Sequence, residues 1–235
     1  MNAFGFSTGA VAFGDFQRAL ELLRPYHCGA MELSALRDHE LRGLVEALPH
    51  LDLSGFRHVS IHAPSAFVNV SEEDAIRLLD RVATRGYPIV LHPDAVANLR
   101  AWRHFGAGLL VENMDKRKRT GRTVGELTVS FDQLPDARLC FDIAHARQVD
   151  PTMSQAYLIL RRFGGRIAQV HLSEVNVQGR HLKLTISSTF AYPRVLPLIP
   201  ADVPVILESP SHPRKLVMNS VSQKIFGRNA AKVFA

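Results

Sequence analysis

Short runs rich in Val, Ile and Leu alternate with amphipathic stretches along most of this chain. The runs predict strands over Ala3–Phe6, Ala30–Leu33, His58–His62, Pro88–His92, Gly108–Glu112, Arg138–Asp142, Ile167–His171 and Val203–Glu208. The amphipathic stretches predict helices over Asp15–Leu23, His39–Ala47, Ser71–Arg85, Ala95–Phe105, Thr123–Leu134, Thr152–Phe163 and Ala191–Leu198. Strands that alternate with helices indicate parallel βαβ units, and this number of units predicts a single α/β domain, a closed (β/α)8 TIM barrel.

A doubly wound open sheet is the alternative architecture for such an alternation. No glycine-rich phosphate-binding loop follows the first predicted strand, which favours the barrel. The barrel domain is predicted to span residues 1–235. Its last stretch, Ser211–Ala235, is basic and only weakly periodic, so the eighth helix is expected to be short or irregular.

Most of the predicted strands end in a residue type that binds metal ions. These residues are His62, His92, Glu112, Asp142, His171 and Glu208. The carboxyl ends of the strands of a β/α barrel converge on one mouth, so residues far apart in sequence meet there. Because side chains alternate along a strand, His62 lies on the face opposite Val59 and Ile61, and the same parity turns Glu112 and Asp142 inward. The strand ends therefore predict a metal site.

Two further histidines extend this set, His145 just past the sixth strand and His181 in the loop after the seventh. Imidazole nitrogens combined with carboxylates suit Zn²⁺, Mn²⁺, Fe²⁺ or Co²⁺, whereas an all-oxygen set would suit Mg²⁺ or Ca²⁺. The set is too large for one tetrahedral ion. We therefore expect one to three divalent transition-metal ions (Zn, Mn or Fe), with Glu112 as a bridging carboxylate.

Two polar residues near this ring each allow more than one role. Glu32 ends the second strand in the same style, but a buried salt bridge explains it equally well. His58 lies one layer below His62 and is expected to pack in the barrel or to support the ligands.

The composition is that of an ordinary globular protein, with 46% hydrophobic and 21% charged residues. No run of 18 apolar residues occurs, so no membrane span is expected. The N-terminal stretch has no basic region ahead of its apolar residues and is better explained as a first strand than as a signal peptide. Cys28 and Cys140 are too few for a disulfide framework, and a reduced, cytoplasmic setting is expected.

A net charge of +6 and an isoelectric point near 9.7 favour anionic partners, namely phosphorylated metabolites, nucleic acid or acidic peptide. Part of the excess lies in the run Lys116, Arg117, Lys118 and Arg119, directly after the Glu112 strand. With Arg180, these residues are candidates for binding substrate phosphate. A solvated surface loop is the alternative. Trp102 and Phe105 nearby provide no clear stacking platform for nucleic-acid bases.

Several short motifs occur together with these residues. They are His62-Ala63-Pro64, His92-Pro93, Glu112-Asn113, Asp142-x-x-His145, His171-Leu172 and Glu208-Ser209-Pro210. Together they resemble the xylose isomerase-like TIM-barrel superfamily, which includes endonuclease IV-type nucleases and sugar phosphate isomerases and epimerases. The resemblance implies a metal site on Glu112, Asp142, His171 and Glu208, and its more specific motifs resemble the trinuclear zinc pattern of the nucleases, in which His62 and His92 would serve one ion.

The chain departs from the nuclease pattern at the third ion. Where those nucleases have Asp-Arg-His, this chain has Gly179-Arg180-His181, so one carboxylate is missing. The glycine-rich segment that normally follows is replaced by Leu182-Lys183-Leu184-Thr185. The resemblance therefore implies a third ion that binds weakly or not at all.

These observations favour a multinuclear, zinc-type phosphoester hydrolase by a narrow margin, with Glu112 and Glu208 as the catalytic carboxylates. A metal-dependent sugar or sugar-phosphate isomerase or epimerase is the first alternative, and the missing carboxylate at Gly179 favours it. A multinuclear iron enzyme and a catalytically inactive binding barrel are further alternatives. The expected substrate is an anionic small molecule or a phosphoester. Nucleic acid stays open as a partner, and the oligomeric state is not indicated.

Overall fold

The structure is a computed structural model that describes residues 3–210. The basic segment Ser211–Ala235, where the sequence predicts a short or irregular eighth helix, lies outside the described residues.

Eight parallel strands close into a barrel, as the sequence predicts. Seven of them follow one another around it: β1 (Phe4–Ser7), β2 (Ala30–Ser34), β3 (His58–His62), β4 (Ile89–Leu91), β5 (Leu109–Glu112), β6 (Arg138–Asp142) and β7 (Ile167–Leu172). The eighth barrel strand, β10 (Val205–Leu207), pairs with both β7 and β1 and completes the closure. Two short strands outside the barrel, β8 (Glu174–Val175) and β9 (His181–Leu182), form an antiparallel hairpin after β7.

Helices cover the outside of the barrel. They are α1 (Thr8–Ala12), α2 (Phe16–Leu23), α3 (Glu40–Ala47), α4 (Glu72–Ala83), α5 (Val124–Gln133), α6 (Ile143–Val149), α7 (Ser154–Phe163) and α8 (Ile186–Ala191). Short 3-10 helices span Leu48–His50, Leu99–Gly108, Gly164–Arg166, Tyr192–Arg194 and Leu196–Leu198. Five of the predicted helices are confirmed as α2, α3, α4, α5 and α7.

Two predicted helices are wrong in type. The segment predicted as Ala95–Phe105 forms a 3-10 helix over Leu99–Gly108 that is interrupted at Gly106, where φ is 54°. The segment predicted as Ala191–Leu198 forms two 3-10 turns instead, because each contains a proline that removes a backbone N–H donor.

Helix α4 illustrates how the outer layer forms. The Ser71 side chain accepts a hydrogen bond from the Asp74 amide and caps the helix, whose first turn is acidic. Its apolar side chains recur at helical spacing and are buried against the barrel: Ala75, Leu78, Leu79 and Val82. Each buried Leu or Val contributes roughly 1.5–3 kcal/mol relative to exposure.

The main hydrophobic core lies between the barrel wall and these helices, whereas the barrel interior is narrow and partly polar. Two small apolar clusters are separate from the main core among the described residues: Val90, Leu110, Cys140 and Ala168, and Ala3, Ala30 and Ile206. Gly5 has no side chain because a Cβ there would overlap the carbonyl group of Ala30 on the neighbouring strand. Within residues 3–210 no helix combines the length and hydropathy that crossing a bilayer requires.

Candidate metal centre

The strand ends meet at one mouth of the barrel and bring the predicted ligands together. Register places Asp142 beside His171 and Glu112 beside Cys140 on neighbouring strands. His92 follows β4 directly, and Glu208 follows β10. Five overlapping groups of side chains there could hold a metal ion within residues 3–210.

Glu112 lies at the centre of this arrangement, and its side chain is 1% exposed. Its Oε2 atom is 3.2 Å from His62 Nε2 and 3.2 Å from His92 Nε2. Its Oε1 atom is 3.1 Å from His145 Nδ1 and 3.5 Å from His171 Nδ1. One carboxylate therefore presents each of its oxygens to a different pair of histidines.

The separations between these atoms match those of ligands around one ion. Two ligands at about 2.05 Å from a tetrahedral ion lie about 3.3 Å apart. His171 Nδ1 and Glu208 Oε2 are separated by 3.3 Å, and His145 Nδ1 and Asp142 Oδ2 by 3.5 Å. The side chains are thus spaced for coordination without a change of backbone.

Hydrogen bonds on the far ring nitrogens orient two of the histidines. His62 Nδ1 is 2.7 Å from the Ala63 carbonyl, which leaves Nε2 directed at Glu112. His171 Nε2 is 2.9 Å from the fully buried Glu32 carboxylate, which leaves Nδ1 directed at Glu208. Ligating histidines are commonly held in this way by a carbonyl or carboxylate on the other nitrogen.

The motif Asp142-x-x-His145 has a local structural explanation. Asp142 is at once the last residue of β6 and the N-cap of α6, and its Oδ1 accepts a hydrogen bond of 2.7 Å from the His145 amide. The helix therefore begins at the barrel mouth, and its first turn carries His145 back over the ring. The other oxygen, Asp142 Oδ2, has no hydrogen-bond partner in the described part of the chain.

The third ligand group is the weakest. His181 lies in the β8–β9 hairpin, 3.7 Å from Glu208 Oε2, and its Nδ1 is 2.8 Å from Ser173 Oγ. Position 179, where the nuclease pattern has a carboxylate, is glycine. Glu174, the nearest carboxylate after His171, bonds Thr185 and Arg147 instead and ties the hairpin to α8.

The electrostatics of the ring favour positive charge. Burial raises the pKa of Glu112, but His171 and His92 outweigh it and hold that pKa well below its usual value. Burial lowers the pKa of His62 and of His145, yet neighbouring carboxylates raise the two pKa values to about 9 and about 10. His62 and His145 therefore carry protons that a bound cation would displace.

Several buried atoms of the ring lack hydrogen-bond partners among residues 3–210. They are Oε1 of Glu32, Nδ1 of His92, Oδ2 of Asp142, Nδ1 of His171 and Oε2 of Glu208. Buried polar atoms are costly when unpaired, by about 1–3 kcal/mol each. All five residues belong to groups that could hold an ion, and three of the atoms lie 3.3–3.5 Å from another member of the ring, namely Asp142 Oδ2, His171 Nδ1 and Glu208 Oε2. The donor set therefore fits a divalent transition metal.

A cavity of about 420 Å³ opens above the ring. Five basic residues are predicted from the sequence to bind substrate. Arg117, Lys118 and Arg180 line this cavity, whereas Lys116 and Arg119 do not. Apolar residues also line the cavity, among them Ala10, Phe13 and Leu36.

Comparison with solved structures supports the fold. Endonuclease IV from Thermus thermophilus matches with 20% identity and a TM-score of 0.60, over 99% of this chain and 100% of that one. A xylose isomerase domain protein from Alicyclobacillus acidocaldarius matches with 15% identity and a TM-score of 0.61, over 99% of both chains. The 3-keto-D-glucoside 4-epimerase from E. coli matches with 12% identity and a TM-score of 0.56, over 100% of both chains.

The chain shares the TIM-barrel fold of these solved structures. No family model and no curated protein matches the sequence. The solved structures of this fold include an endonuclease, an isomerase-domain protein and an epimerase, so the resemblance proposed from the motifs is confirmed for the fold.

Sequence reasoning missed three residues that contribute to the site. Asn113 is fully buried, and its amide group bonds both the N–H and the carbonyl of Asp142 at 2.8 Å. Asp38 accepts hydrogen bonds from the Val68, Asn69 and Val70 amides and so fixes the loop after β3. Cys140 lies under Glu112 and His171 as a third member of one potential ligand group. Of these three residues, only Asn113 could have been connected with the site from the sequence, because it directly follows Glu112.

Glu32 is part of the site, and its replacement tests how much the orientation of His171 matters. We expect Glu32→Gln to weaken metal affinity by roughly 10- to 100-fold, because the neutral amide holds the His171 ring less strongly and makes Nδ1 less basic. Competition with a chelator measures this affinity. Glu21→Gln on the surface of α2 is the matched control, and equal affinities in the two variants would contradict the role of Glu32.

Proposed function

We propose that this chain is a divalent-metal-dependent hydrolase of phosphoesters. The observation that carries the proposal is the placement of Glu112, whose two oxygens face separate pairs of histidines. Such a carboxylate suits a centre of two ions. Paired ions are typical of enzymes that cleave phosphoester bonds, because both the attacking and the leaving oxygen need charge stabilisation.

The residues of the chain have distinct tasks in this proposal. His62 and His92 with Glu112 Oε2 would hold one ion. His171, Asp142 and Glu208 with Glu112 Oε1 would hold the other, with His145 beside them. Ions bound there would supply positive charge that stabilises phosphoryl oxygens and would lower the pKa of an attacking water.

Glu208 is the residue placed to handle the proton of that water. Its Oε2 is buried and has no hydrogen-bond partner within residues 3–210. Burial raises the pKa of Glu208, against the opposing effect of His171 and His181. In hydrolysis the water oxygen forms the new bond to phosphorus, the bond from phosphorus to the ester oxygen breaks, and the leaving oxygen gains a proton. Glu208 would hold the ion through one carboxylate oxygen and, through the other, would accept the water proton and return it to solvent or to the leaving group.

A sugar or sugar-phosphate isomerase or epimerase is the second candidate. The observation that favours it is that Glu112, Asp142, His171 and Glu208 lie together, which provides a one-ion site and two carboxylates for proton transfer. The glycine at position 179 also weakens the nuclease-like third site. In this candidate His62 and His92 have no direct part in the chemistry.

Metal analysis combined with isotope labelling separates the two candidates. Protein purified without added metal is expected to contain about two transition-metal ions per chain. In water enriched in ¹⁸O, the hydrolase is expected to transfer the label into the phosphate released from p-nitrophenyl phosphate, or into the p-nitrophenyl phosphate released from bis-p-nitrophenyl phosphate. An epimerase would instead exchange carbon-bound hydrogen of a sugar phosphate with D₂O. The second candidate would replace the proposal if the protein contains one ion per chain, transfers no ¹⁸O into the product, and does exchange carbon-bound hydrogen for deuterium.

A further inference from the structure

Arg117 fills the space that a side chain at position 179 would occupy. Gly179 lies between β8 and β9 with φ of 69°, in the left-handed region. A Cβ built on it would overlap the Arg117 guanidinium group. A glycine at position 179 therefore has two effects. It provides no metal ligand, and it leaves room for the guanidinium group of Arg117 from the loop after β5.

The Arg117 side chain is held in a fixed orientation by Asp115, which is only 2% exposed. Arg117 Nε and Nη2 donate to the two oxygens of Asp115 at 2.9 Å each, and the Arg117 amide donates to the same carboxylate. Such a bidentate pair fixes the guanidinium plane before any ligand arrives. The third nitrogen, Nη1, has no hydrogen-bond partner among residues 3–210.

The neighbouring cations of the cavity differ from Arg117. Lys118 Nζ lies 3.1 Å from Asp94 Oδ2, which directs it to a contact outside the ring. Arg180 is on the same hairpin as Gly179 and lines the same cavity. Within residues 3–210, Arg117 is thus the cation of the predicted basic run whose side chain Asp115 holds in place and which also contacts Gly179, in the turn before His181.

We propose that Arg117 takes the place of a third cation and binds an anionic oxygen of the substrate phosphate. This inference rests on the proposed phosphoester hydrolase. The side of the guanidinium group that Asp115 leaves free, at Nη1, would donate to a phosphate oxygen where an ion would otherwise stand. A cavity of about 420 Å³ has the size of a small-molecule site. The substrate class is therefore a phosphorylated small molecule with a free phosphate oxyanion.

The subsite is tested by calorimetric titration with inorganic phosphate. The protein is used with the metals it carries when purified. Arg117→Ser is expected to weaken phosphate binding roughly 10- to 100-fold, the range for losing a charge-assisted hydrogen bond. Arg117→Lys is expected to recover only part of the affinity, because an ammonium group cannot form the bidentate pair with Asp115. Arg161→Ser, which removes an exposed arginine from α7, is the matched control and is expected to bind phosphate like the wild type.

The outcomes separate this inference from the proposed hydrolase. Phosphate binding that depends on Arg117, in a protein that cleaves no phosphoester, would support the subsite and remove the hydrolase. The subsite would be overturned, and the hydrolase left intact, if Arg117→Ser binds phosphate with wild-type affinity and has an unchanged KM. Metal content and unfolding temperature must also be unchanged in that variant. Failure of the wild type to bind phosphate would also overturn the subsite.

Metal content gives a second, independent readout. Gly179→Asp alone is expected to gain no ion, because the new carboxylate pairs with Arg117, and aspartate tolerates the left-handed backbone there. The double variant Gly179→Asp with Arg117→Ser is expected to bind about one more ion per chain, held by His145, His181 and the new aspartate. A gain of an ion in the single variant would overturn the view that Arg117 replaces a third cation.

Discussion

Glu112→Gln is expected to empty both halves of the candidate metal centre at once. The glutamine side chain keeps the volume of glutamate, so the change removes one negative charge without leaving a cavity. Because each oxygen of Glu112 faces a different pair of histidines, both ions would lose a ligand and a compensating charge. We expect well under one ion per chain by elemental analysis, and activity reduced by at least about 10³-fold, the scale for removing a main charge-stabilising group.

A matched change elsewhere shows whether this loss is specific. Glu73→Gln alters an exposed glutamate in the first turn of α4 and is expected to keep the wild-type metal content and activity. Thermal unfolding of the metal-free proteins checks that Glu112→Gln still folds. A Glu112→Gln protein that retains two ions per chain would show that this carboxylate does not join the two ligand groups.

The barrel could be predicted from the sequence because its signals are local. Each strand is a short apolar run, and the inward side chains follow from strand parity, as the burial of Leu109 and Val111 beneath the helices confirms. The errors in the helices arise where one residue overrides a periodic pattern. Gly106 interrupts the segment after β4, and prolines shorten the segment after α8.

The side chains that meet at the barrel mouth could also be predicted from the sequence, but their supporting contacts could not. His62, Glu112 and Asp142 could be assigned to the mouth because they end strands. The roles of Glu32 and Asp38 depend on contacts between residues far apart in the sequence, for example the 2.9 Å contact from Glu32 to His171. The contact between Arg117 and Gly179 joins two loops whose paths no local pattern specifies.

Replacement of the two early histidines is expected to distinguish a two-ion hydrolase from a one-ion isomerase. His62 and His92 both contact Glu112 Oε2 at 3.2 Å, and their rings lie 4.9 Å apart in an edge-on arrangement. In the proposed hydrolase, His62→Ala and His92→Ala each remove a ligand of the same ion. We expect the metal content to fall from about two ions to about one, and phosphoester cleavage to fall by about 10²–10³-fold.

A one-ion isomerase predicts a different pattern for the same variants. Its ion would be held by Glu112, Asp142, His171 and Glu208, so the loss of His62 or His92 would leave that ion bound and turnover only mildly reduced. His104→Ala is the matched control, because His104 is a half-exposed histidine whose Nε2 lies 2.7 Å from Asp80 Oδ1 on the outer surface. The measurements are metal content and kcat/KM for each variant. If both His62→Ala and His92→Ala match His104→Ala in these quantities, the two-ion hydrolase is contradicted and the isomerase becomes the better account of the site.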